Sequence, residues 1–420
     1  MRTQSEEHVP LLKKLGPGLI TGASDDDPSG IATYSQAGAQ FGYGLLWSVL
    51  FTTPLMIGIQ IISARIGRVT GHGLAANIRD QFPRAMLYFI VALLLTANTI
   101  NIAADLGAMG DALALIAGGN RGIYVVLFAL VSLTLQIFIP FPRYAPILKW
   151  LTVSLFAYVG TVFVVHVPLE GLAQALLPRI TLSGEYLALL VAVLGTTISP
   201  YLFFWQASQE VEEQRATPGH EPLRQAPEQA RVSFSRIRLD TYIGMIYSNL
   251  IALCIMLTTA ATLNAAGTTD ILTAAQAAEA LRPLAGEFAF QLFALGIIGT
   301  GLLAVPVLAG SAAYAVAESF HWPIGLGLPL AEARGFYAIL TIATVLGVAI
   351  DFSGIDSIKA LLWAAIINGI VSVPIMAVLM VLAARPAVMG PFVIRQRLKI
   401  LGWLATAVMA VAVVMMFVLL

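Results

Sequence analysis

The sequence predicts an all-α polytopic membrane protein, and three observations support this fold class. Of its 420 residues, 58% are hydrophobic and 11% are charged, and the mean hydropathy is +0.85. The apolar runs, such as 87–96 and 405–420, are continuous, whereas the strands of a membrane β-barrel alternate apolar and polar residues. One helical crossing takes about 20 residues, so a chain of this length accommodates roughly ten to twelve spans.

Hydropathy places eleven spans along the chain. They lie at about 16–37, 43–64, 86–117, 121–141, 146–167, 186–213, 239–264, 286–317, 335–351, 357–383 and 398–419. Residues 1–15 are predicted to be a cytoplasmic tail, and residues 16–420 a single transmembrane domain. The longest polar stretch between spans predicts a cytoplasmic loop at 214–238.

The basic residues set the predicted orientation. With a cytoplasmic N-terminus, nineteen of the 23 Lys and Arg residues fall inside, and four fall outside, namely Arg121, Arg179, Arg282 and Lys359. Cytoplasmic loops are enriched in Lys and Arg. We therefore predict an integral protein of a bacterial inner membrane, in contact with lipid, with its C-terminus outside.

Charge and residue types exclude several functions. The 23 basic residues are balanced by 23 acidic ones, which leaves no basic surface for nucleic acid. The five histidines fall in loops, in the tail or at a span end, so we predict no enzyme and no catalytic residue. Cys254, the single cysteine, is predicted to be a small core residue. The sequence specifies no oligomeric state.

A run of three carboxylates interrupts the first span. Asp25, Asp26 and Asp27 are followed by Pro28, which has no backbone N–H, and by the flexible Gly30. Charges at membrane depth are costly and usually mark a functional site. The pattern predicts a broken helix whose unpaired carbonyls lie beside carboxylates, as in a cation site. A helix end in a water-filled vestibule is the alternative.

A second interruption lies in the sixth span, at 195–201. Pro200 follows Thr196, Thr197 and Ser199. Breaks at matching places in two halves are typical of transporters built from inverted repeats, which bind substrate where the breaks meet. Breaks in spans one and six indicate a five-plus-five repeat with an eleventh helix. A proline kink supported by Ser and Thr accounts for either break alone.

The remaining polar groups within the spans give weaker signals. Asp105 and Asn368 either line a pathway or form hydrogen-bonded helix contacts. Asn98 and Asn101 precede Asp105 by seven and four residues and so share its helix face.

Carboxylates at the ends of spans are predicted to be solvated. Glu210, Glu212 and Glu213 end the sixth span, and Asp351 ends the ninth.

The chain resembles the NRAMP family of divalent-metal transporters, nearly from end to end. The opening 16–20 segment leading to Asp27-Pro28 is similar to the family's first helix and its Asp-Pro-Gly-Asn break. The resemblance implies a LeuT-type fold with metal bound between spans one and six. The other matching motifs are Gln36-Ala37-Gly38-Ala39, Phe41-Gly42-Tyr43, Arg65-Ile66-Gly67, Val69-Thr70-Gly71, Ala104-Asp105-Leu106, Phe234-Ser235-Arg236-Ile237 and Met389-Gly390.

The departures from the family pattern concern the metal site and the proton route. Ser29 and Gly30 replace the last two residues of the first break, and Ser199-Pro200-Tyr201 replaces the family's Met-Pro-His. Two glutamates of the family's proton route are replaced by Asn98 and Ala108. The resemblance therefore implies metal transport in which proton coupling is weak or absent.

The predicted site contains only oxygen ligands. Neither 21–44 nor 186–208 contains Met or Cys, and carboxylate, hydroxyl and carbonyl oxygens suit Mg²⁺ or Mn²⁺. We predict a transporter of Mg²⁺ or Mn²⁺ in which the divalent cation is substrate and no cofactor is needed. The predicted metal ligands are Asp27, Asp26, Asp25, Thr196, Ser199, Asp105 and Asn368.

Two other functions remain compatible with the sequence. A transporter of the same fold could carry a small organic solute such as an amino acid, although three aspartates disfavour an anionic group at the first break. A membrane sensor could bind metal without transporting it.

Overall fold

A computed structural model of the protein describes residues 17–139, 143, 152–165 and 175–419. The predicted tail 1–15 lies outside the described residues, as do the end of the fourth predicted span and both ends of the fifth. The described residues form helices and contain no strand, which confirms the predicted all-α class.

Seventeen α-helices are numbered here in chain order among the described residues. They are α1 Pro17–Asp25, α2 Pro28–Phe41, α3 Leu46–Thr70, α4 Leu74–Gln81, α5 Arg84–Ala117, α6 Arg121–Phe138, α7 Phe156–Val164, α8 Gly184–Thr197, α9 Pro200–Ala216, α10 Ala230–Thr259, α11 Ala274–Glu279, α12 Arg282–Ala285, α13 Ala289–Ser319, α14 Arg334–Asp351, α15 Ser357–Ala384, α16 Pro386–Met389 and α17 Gln396–Leu419.

The long helices overlap the predicted spans. In the described part of the chain, nine helical segments are long and apolar enough to cross a membrane. The first predicted span consists of the two shorter helices α1 and α2, and α7 lies within the fifth. The predicted loop at 214–238 is shorter in the structure, because α9 continues to Ala216 and α10 begins at Ala230.

The packing of the helices repeats between two halves of the chain. The broken first span, α1 and α2, packs on α10 of the seventh span, and α9 of the sixth span packs on α3 of the second. Likewise α5 of the third span packs on α14 of the ninth, and α13 of the eighth packs on α6 of the fourth. When spans one to five are exchanged with spans six to ten, the contact of spans one and seven becomes that of six and two, and the contact of three and nine becomes that of eight and four. A five-plus-five repeat requires this correspondence.

A close crossing fixes α1 against α10. A Cβ atom added to Gly22 would lie 2.2 Å from the carbonyl oxygen of Gly244, so only glycine allows this approach. Asp240 of α10 also accepts hydrogen bonds from the backbone amides of Gly18 and Leu19, at 2.6 and 3.0 Å. A carboxylate at a helix N-terminus satisfies free amides and complements the helix dipole. The first half-helix is therefore held at its start and along its length.

Candidate metal-ion site

The first break consists of two residues between α1 and α2. Asp27 is the N-cap of α2, and its carboxylate accepts a hydrogen bond of 2.7 Å from the amide of Gly30. Pro28 occupies the first helical position, where a missing N–H costs nothing. An aspartate followed by proline is thus a strong signal to start a helix, and it places the Asp27 carboxylate at the N-terminus of α2.

The second break has the same construction. α8 ends at Thr197, Ser199 is the N-cap residue of α9, and Pro200 is the first residue of that helix. The Ser199 hydroxyl donates back to the carbonyls of Gly195 and Thr196, at 2.7 and 2.8 Å. Its oxygen lone pairs remain available to a ligand.

The two breaks meet in the interior. The hydroxyl of Tyr201, just after the second break, donates to the carbonyl of Ser24 at 3.0 Å and lies 3.5 Å from the Asp27 carboxylate. Thr21 of α1 donates to Gln206 of α9 at 2.6 Å. The pattern of breaks predicted that the two would meet, but nothing in it indicated that Tyr201 would link them.

Four carboxylates lie near this junction, and they face two different sets of neighbours. Asn101 of α5 donates to Asp27 at 3.2 Å. The Asp105 carboxylate, which also lies on α5, interacts electrostatically with Asp27. Asp25 and Asp26 instead accept hydrogen bonds from the hydroxyl of Ser248 of α10, at 2.7 and 3.2 Å. Ser248 was not predicted, because nothing in its local sequence distinguishes it from other serines inside spans.

The other predicted ligands lie on helices that line the second break. Thr196 donates to its own helix, at the carbonyls of Ala192 and Val193. Asn368 is 1% exposed, and its amide oxygen has no hydrogen-bond partner. Ser372, one turn later on α15, donates to the carbonyl of Ile198 at 2.7 Å.

All seven predicted ligands are buried, none being more than 3% exposed. Within the described residues, no group of three or more His, Cys, Asp or Glu side chains converges as one metal-binding cluster. The arrangement therefore offers mixed oxygen donors from carboxylates, hydroxyls, an amide and carbonyls. Asn98, which shares a face with Asn101, points elsewhere and donates to the carbonyl of Leu308.

An ion-pair cluster lies at each end of the helix bundle. The first, here the Arg236 cluster, pairs Arg236 with Glu210 and Glu213. The prediction that Glu210 is solvated is wrong, since its side chain is 0% exposed. The Glu212 carboxylate also accepts hydrogen bonds, from the hydroxyl of Tyr314 and, at 2.8 Å, from the amide of Leu326. The guanidinium group of Arg236 on α10 offsets part of the charge of Glu210 and Glu213 of α9, and the sequences of the separate span ends could not reveal this pairing.

The second, here the Arg121 cluster, lies at the opposite end, where α5 ends and α6 begins. Arg121 pairs with Asp111 at 2.7 Å and with Asp351 at 2.5 Å, and donates to Ser357 at 2.7 Å. The prediction that Asp351 is solvated is also wrong, since its side chain is 3% exposed. The cluster ties together the ends of α5, α6, α14 and α15.

A narrow cavity lies between the Arg121 cluster and the breaks. Its volume is about 20 Å³, and its lining includes Ala108, Asp111 and Leu361, which leaves room for about one water molecule. The Ser29 hydroxyl donates to the carbonyl of Leu361 at 3.0 Å. This contact connects the residue after the first break to the lining of the cavity.

The geometry of two broken helices meeting in a bundle of membrane helices is accompanied by a family match. Residues 18–419 match the family described as natural resistance-associated macrophage protein-like, or Nramp. The chain belongs to the Nramp family. It is accordingly an integral membrane protein, and the resemblance noted from its motifs is confirmed.

Relatives of this Nramp chain include two bacterial proteins named divalent metal cation transporter MntH. The protein from Klebsiella pneumoniae strain 342 is 26% identical over 409 residues, which cover 94% of this chain and 92% of the relative. The protein from Pectobacterium carotovorum is 28% identical over 342 residues, which cover 79% and 78% of the two chains.

Solved structures similar to this Nramp chain share its fold. A manganese transporter of Eremococcus coleocola superposes with a TM-score of 0.76 at 18% identity, over 100% of this chain and 88% of the other. MhsT in complex with L-phenylalanine gives a TM-score of 0.57 at 12% identity, over 96% and 97%. The LeuT-type fold predicted from the resemblance is confirmed.

Proposed function

We propose that this Nramp protein moves divalent metal ions across the membrane by alternating access, binding the ion where its two helix breaks meet. The observation that carries the proposal is the junction at Tyr201, whose hydroxyl reaches both Ser24 and the Asp27 carboxylate. A dication at membrane depth needs neutralising charge, and Asp27 supplies it at the junction. The family and its relatives named divalent metal cation transporters support this function.

The proposed ligands around the ion come from five helices. Asp27 and Asp105 provide carboxylates from the first break and from α5, and Ser199 and Thr196 provide hydroxyls from the second break. Asn368 of α15 provides the buried amide oxygen that has no hydrogen-bond partner. We infer that this set surrounds the cation as it passes between the two halves.

The donor set favours hard cations. All the proposed ligands are oxygens, and such ligands suit Mg²⁺ and Mn²⁺ better than softer metals. Mg²⁺ dehydrates reluctantly, so a mixed site of carboxylates and neutral oxygens would hold it with part of its water shell. We propose Mg²⁺ or Mn²⁺ as substrate, and the similarity of fold to a manganese transporter is compatible with either.

The proposed orientation follows from the basic residues. With the N-terminus in the cytoplasm of a bacterial cell, the Arg236 cluster faces the cytoplasm and the Arg121 cluster faces outside. Each cluster then closes one of the two routes to the site.

Ion flux into liposomes containing Asp27→Ala tests the function. We expect the wild type to carry Mn²⁺ or Mg²⁺, and the variant to fall to the level of empty liposomes, because a buried dication loses its nearest counter-charge. Asp80→Ala, which removes an exposed carboxylate on α4 with 53% of its side chain accessible, is the matched control and should retain flux.

Other outcomes would contradict the proposal. Undiminished flux in a folded Asp27→Ala protein would remove Asp27 from the site. Metal binding by the wild type without any flux would indicate a sensor, and uptake of an amino acid without metal uptake would indicate an organic-solute transporter.

A further inference from the structure

The structure divides the three consecutive aspartates of the first break into two groups. Asp27 faces α5 and the second break, where it contacts Asn101 and lies next to Tyr201. Asp25 and Asp26 face α10, where both carboxylates converge on the hydroxyl of Ser248, at 2.7 and 3.2 Å. Adjacent residues near a helix end point in different directions, so one ion between the breaks cannot be held by all three.

The Asp25 and Asp26 carboxylates have fewer donors than they need. A serine hydroxyl carries a single proton, so Ser248 alone cannot fully satisfy two carboxylates. Asp25 and Asp26 are 1% and 0% exposed, and each has one carboxylate oxygen without any hydrogen-bond partner. Among the described residues, no Lys, Arg or His side chain acts on either group. Buried charges left uncompensated in this way are strongly unfavourable.

A further buried oxygen, the Tyr34 hydroxyl, lies near these two carboxylates. The Tyr34 side chain of α2 is 0% exposed, and its hydroxyl has no hydrogen bond of normal geometry. Its electrostatic neighbours are Asp25 and Asp26, followed by the Thr196 hydroxyl and Asp27. The Tyr34 hydroxyl is not part of the aspartate run, so it points to a ligand independently. The two carboxylates and the hydroxyls of Ser248 and Tyr34 all offer oxygen, which is the donor type that a hard cation prefers.

We propose that Asp25, Asp26, Ser248 and Tyr34 form a second divalent-cation site, separate from the site at Asp27. One dication balances the charge of the two carboxylates, whereas a monovalent cation would leave a net negative charge buried. Asp25 is the last residue of α1 and Ser248 lies on α10, so the site lies where the end of α1 meets α10. A transported ion would occupy it before or after the junction, so this inference rests on the proposed function.

The number of bound ions tests the second site. Isothermal titration of the purified protein with Mn²⁺ should give two ions per chain for the wild type. The double variant Asp25→Asn/Asp26→Asn should bind one ion, and Asp27→Asn should also bind one. Asp80→Asn, an exposed carboxylate away from both sites, should still bind two.

A milder change keeps the test decisive if the double variant fails to fold. Ser248→Ala removes one ligand without altering charge and should weaken one of the two binding events by about 10- to 100-fold, with the other unchanged. Ser63→Ala, which removes a buried hydroxyl that donates to the Phe203 carbonyl, should leave both events as in the wild type.

The results separate this inference from the proposed function. A single Mn²⁺ per wild-type chain, or two ions retained in both Asp25→Asn/Asp26→Asn and Ser248→Ala, would overturn the second site. Neither result would affect transport through Asp27, which the liposome experiment measures separately.

Discussion

Ser199 takes the place of a methionine in the family pattern, so this chain lacks the thioether sulfur at the second break. The Ser199 hydroxyl donates to two carbonyls at the end of the preceding helix, α8, so the side chain lies at the break. Ser199→Met would place a soft sulfur there. Because soft ligands favour softer metals, we expect the affinity for Cd²⁺ relative to Mg²⁺ to rise by about tenfold, or ~1.4 kcal/mol, measured by competition titration.

A smaller substitution at the same position separates the sulfur from the loss of the hydroxyl. Ser199→Ala removes the hydroxyl and adds no ligand, so it should not raise the preference for Cd²⁺. If the wild type already prefers Cd²⁺ to Mg²⁺ and Mn²⁺, the argument from hard ligands is wrong.

Single residues show where sequence reasoning reached the site and where it stopped. Asp27 was predicted because a carboxylate is costly inside an apolar span and usually marks a functional site there. Ser248 and Tyr34 were missed, because hydroxyls are common in membrane helices and only the tertiary structure brings them to Asp25 and Asp26. The burial of Glu210 was missed for the same reason, since its partner Arg236 lies on another helix.

At the scale of elements, the broken helices were predictable from local chemistry. Asp27 before Pro28 and Ser199 before Pro200 both combine a good N-cap residue with proline at the first helical position. Each pair specifies where a new helix begins, whatever the surrounding structure. The close crossing of α1 and α10 was not predictable, because it depends on two glycines far apart in the sequence.

The crossing of α1 and α10 gives a prediction for Gly22. A Cβ atom there would overlap the backbone of Gly244, and overpacking of this kind costs about 1–3 kcal/mol. We expect Gly22→Ala to lower the Tm and to reduce ion flux, because α1 can no longer seat against α10 when the site closes.

Gly327→Ala is the matched control for this crossing. A Cβ atom at Gly327 meets nothing within 4 Å, and its backbone is not left-handed. The control should keep the Tm and flux of the wild type. Equal behaviour of the two variants would show that the crossing tolerates an added methyl group and does not control closure.

At the scale of the whole molecule, composition alone predicted the class of fold. Continuous apolar runs identified the spans, and the positions of two breaks indicated a five-plus-five repeat, which the packing of α3 on α9 and of α1 on α10 reproduces. Orientation stays a prediction from the basic residues. What composition could not predict is how the helix ends are joined, because the Arg236 and Arg121 clusters connect side chains that are distant in sequence.

The side chains between the metal site and the end of the bundle also bear on how transport is driven. Proton coupling needs titratable groups that connect the metal site to one side of the membrane. Asp105 is present, but Asn98 is held by the Leu308 carbonyl and Gln206 by Thr21. Glu210, farther along α9, is paired with Arg236. Asn98 and Gln206 are thus neutral and Glu210 is already paired, while Asp25 and Asp26 are assigned here to a second bound cation.

We therefore expect transport that follows the metal gradient and the membrane potential without moving protons. Each dication gains about 4.6 kcal/mol per 100 mV from its two charges, which is enough to drive uptake into liposomes with a negative interior. A pH-sensitive dye enclosed in those liposomes should stay constant while Mn²⁺ enters. Acidification in proportion to uptake, lost in Asp105→Asn and retained in the control Asp80→Asn, would show that Asp105 alone couples protons to the metal and that the neutral residues around it do not prevent coupling.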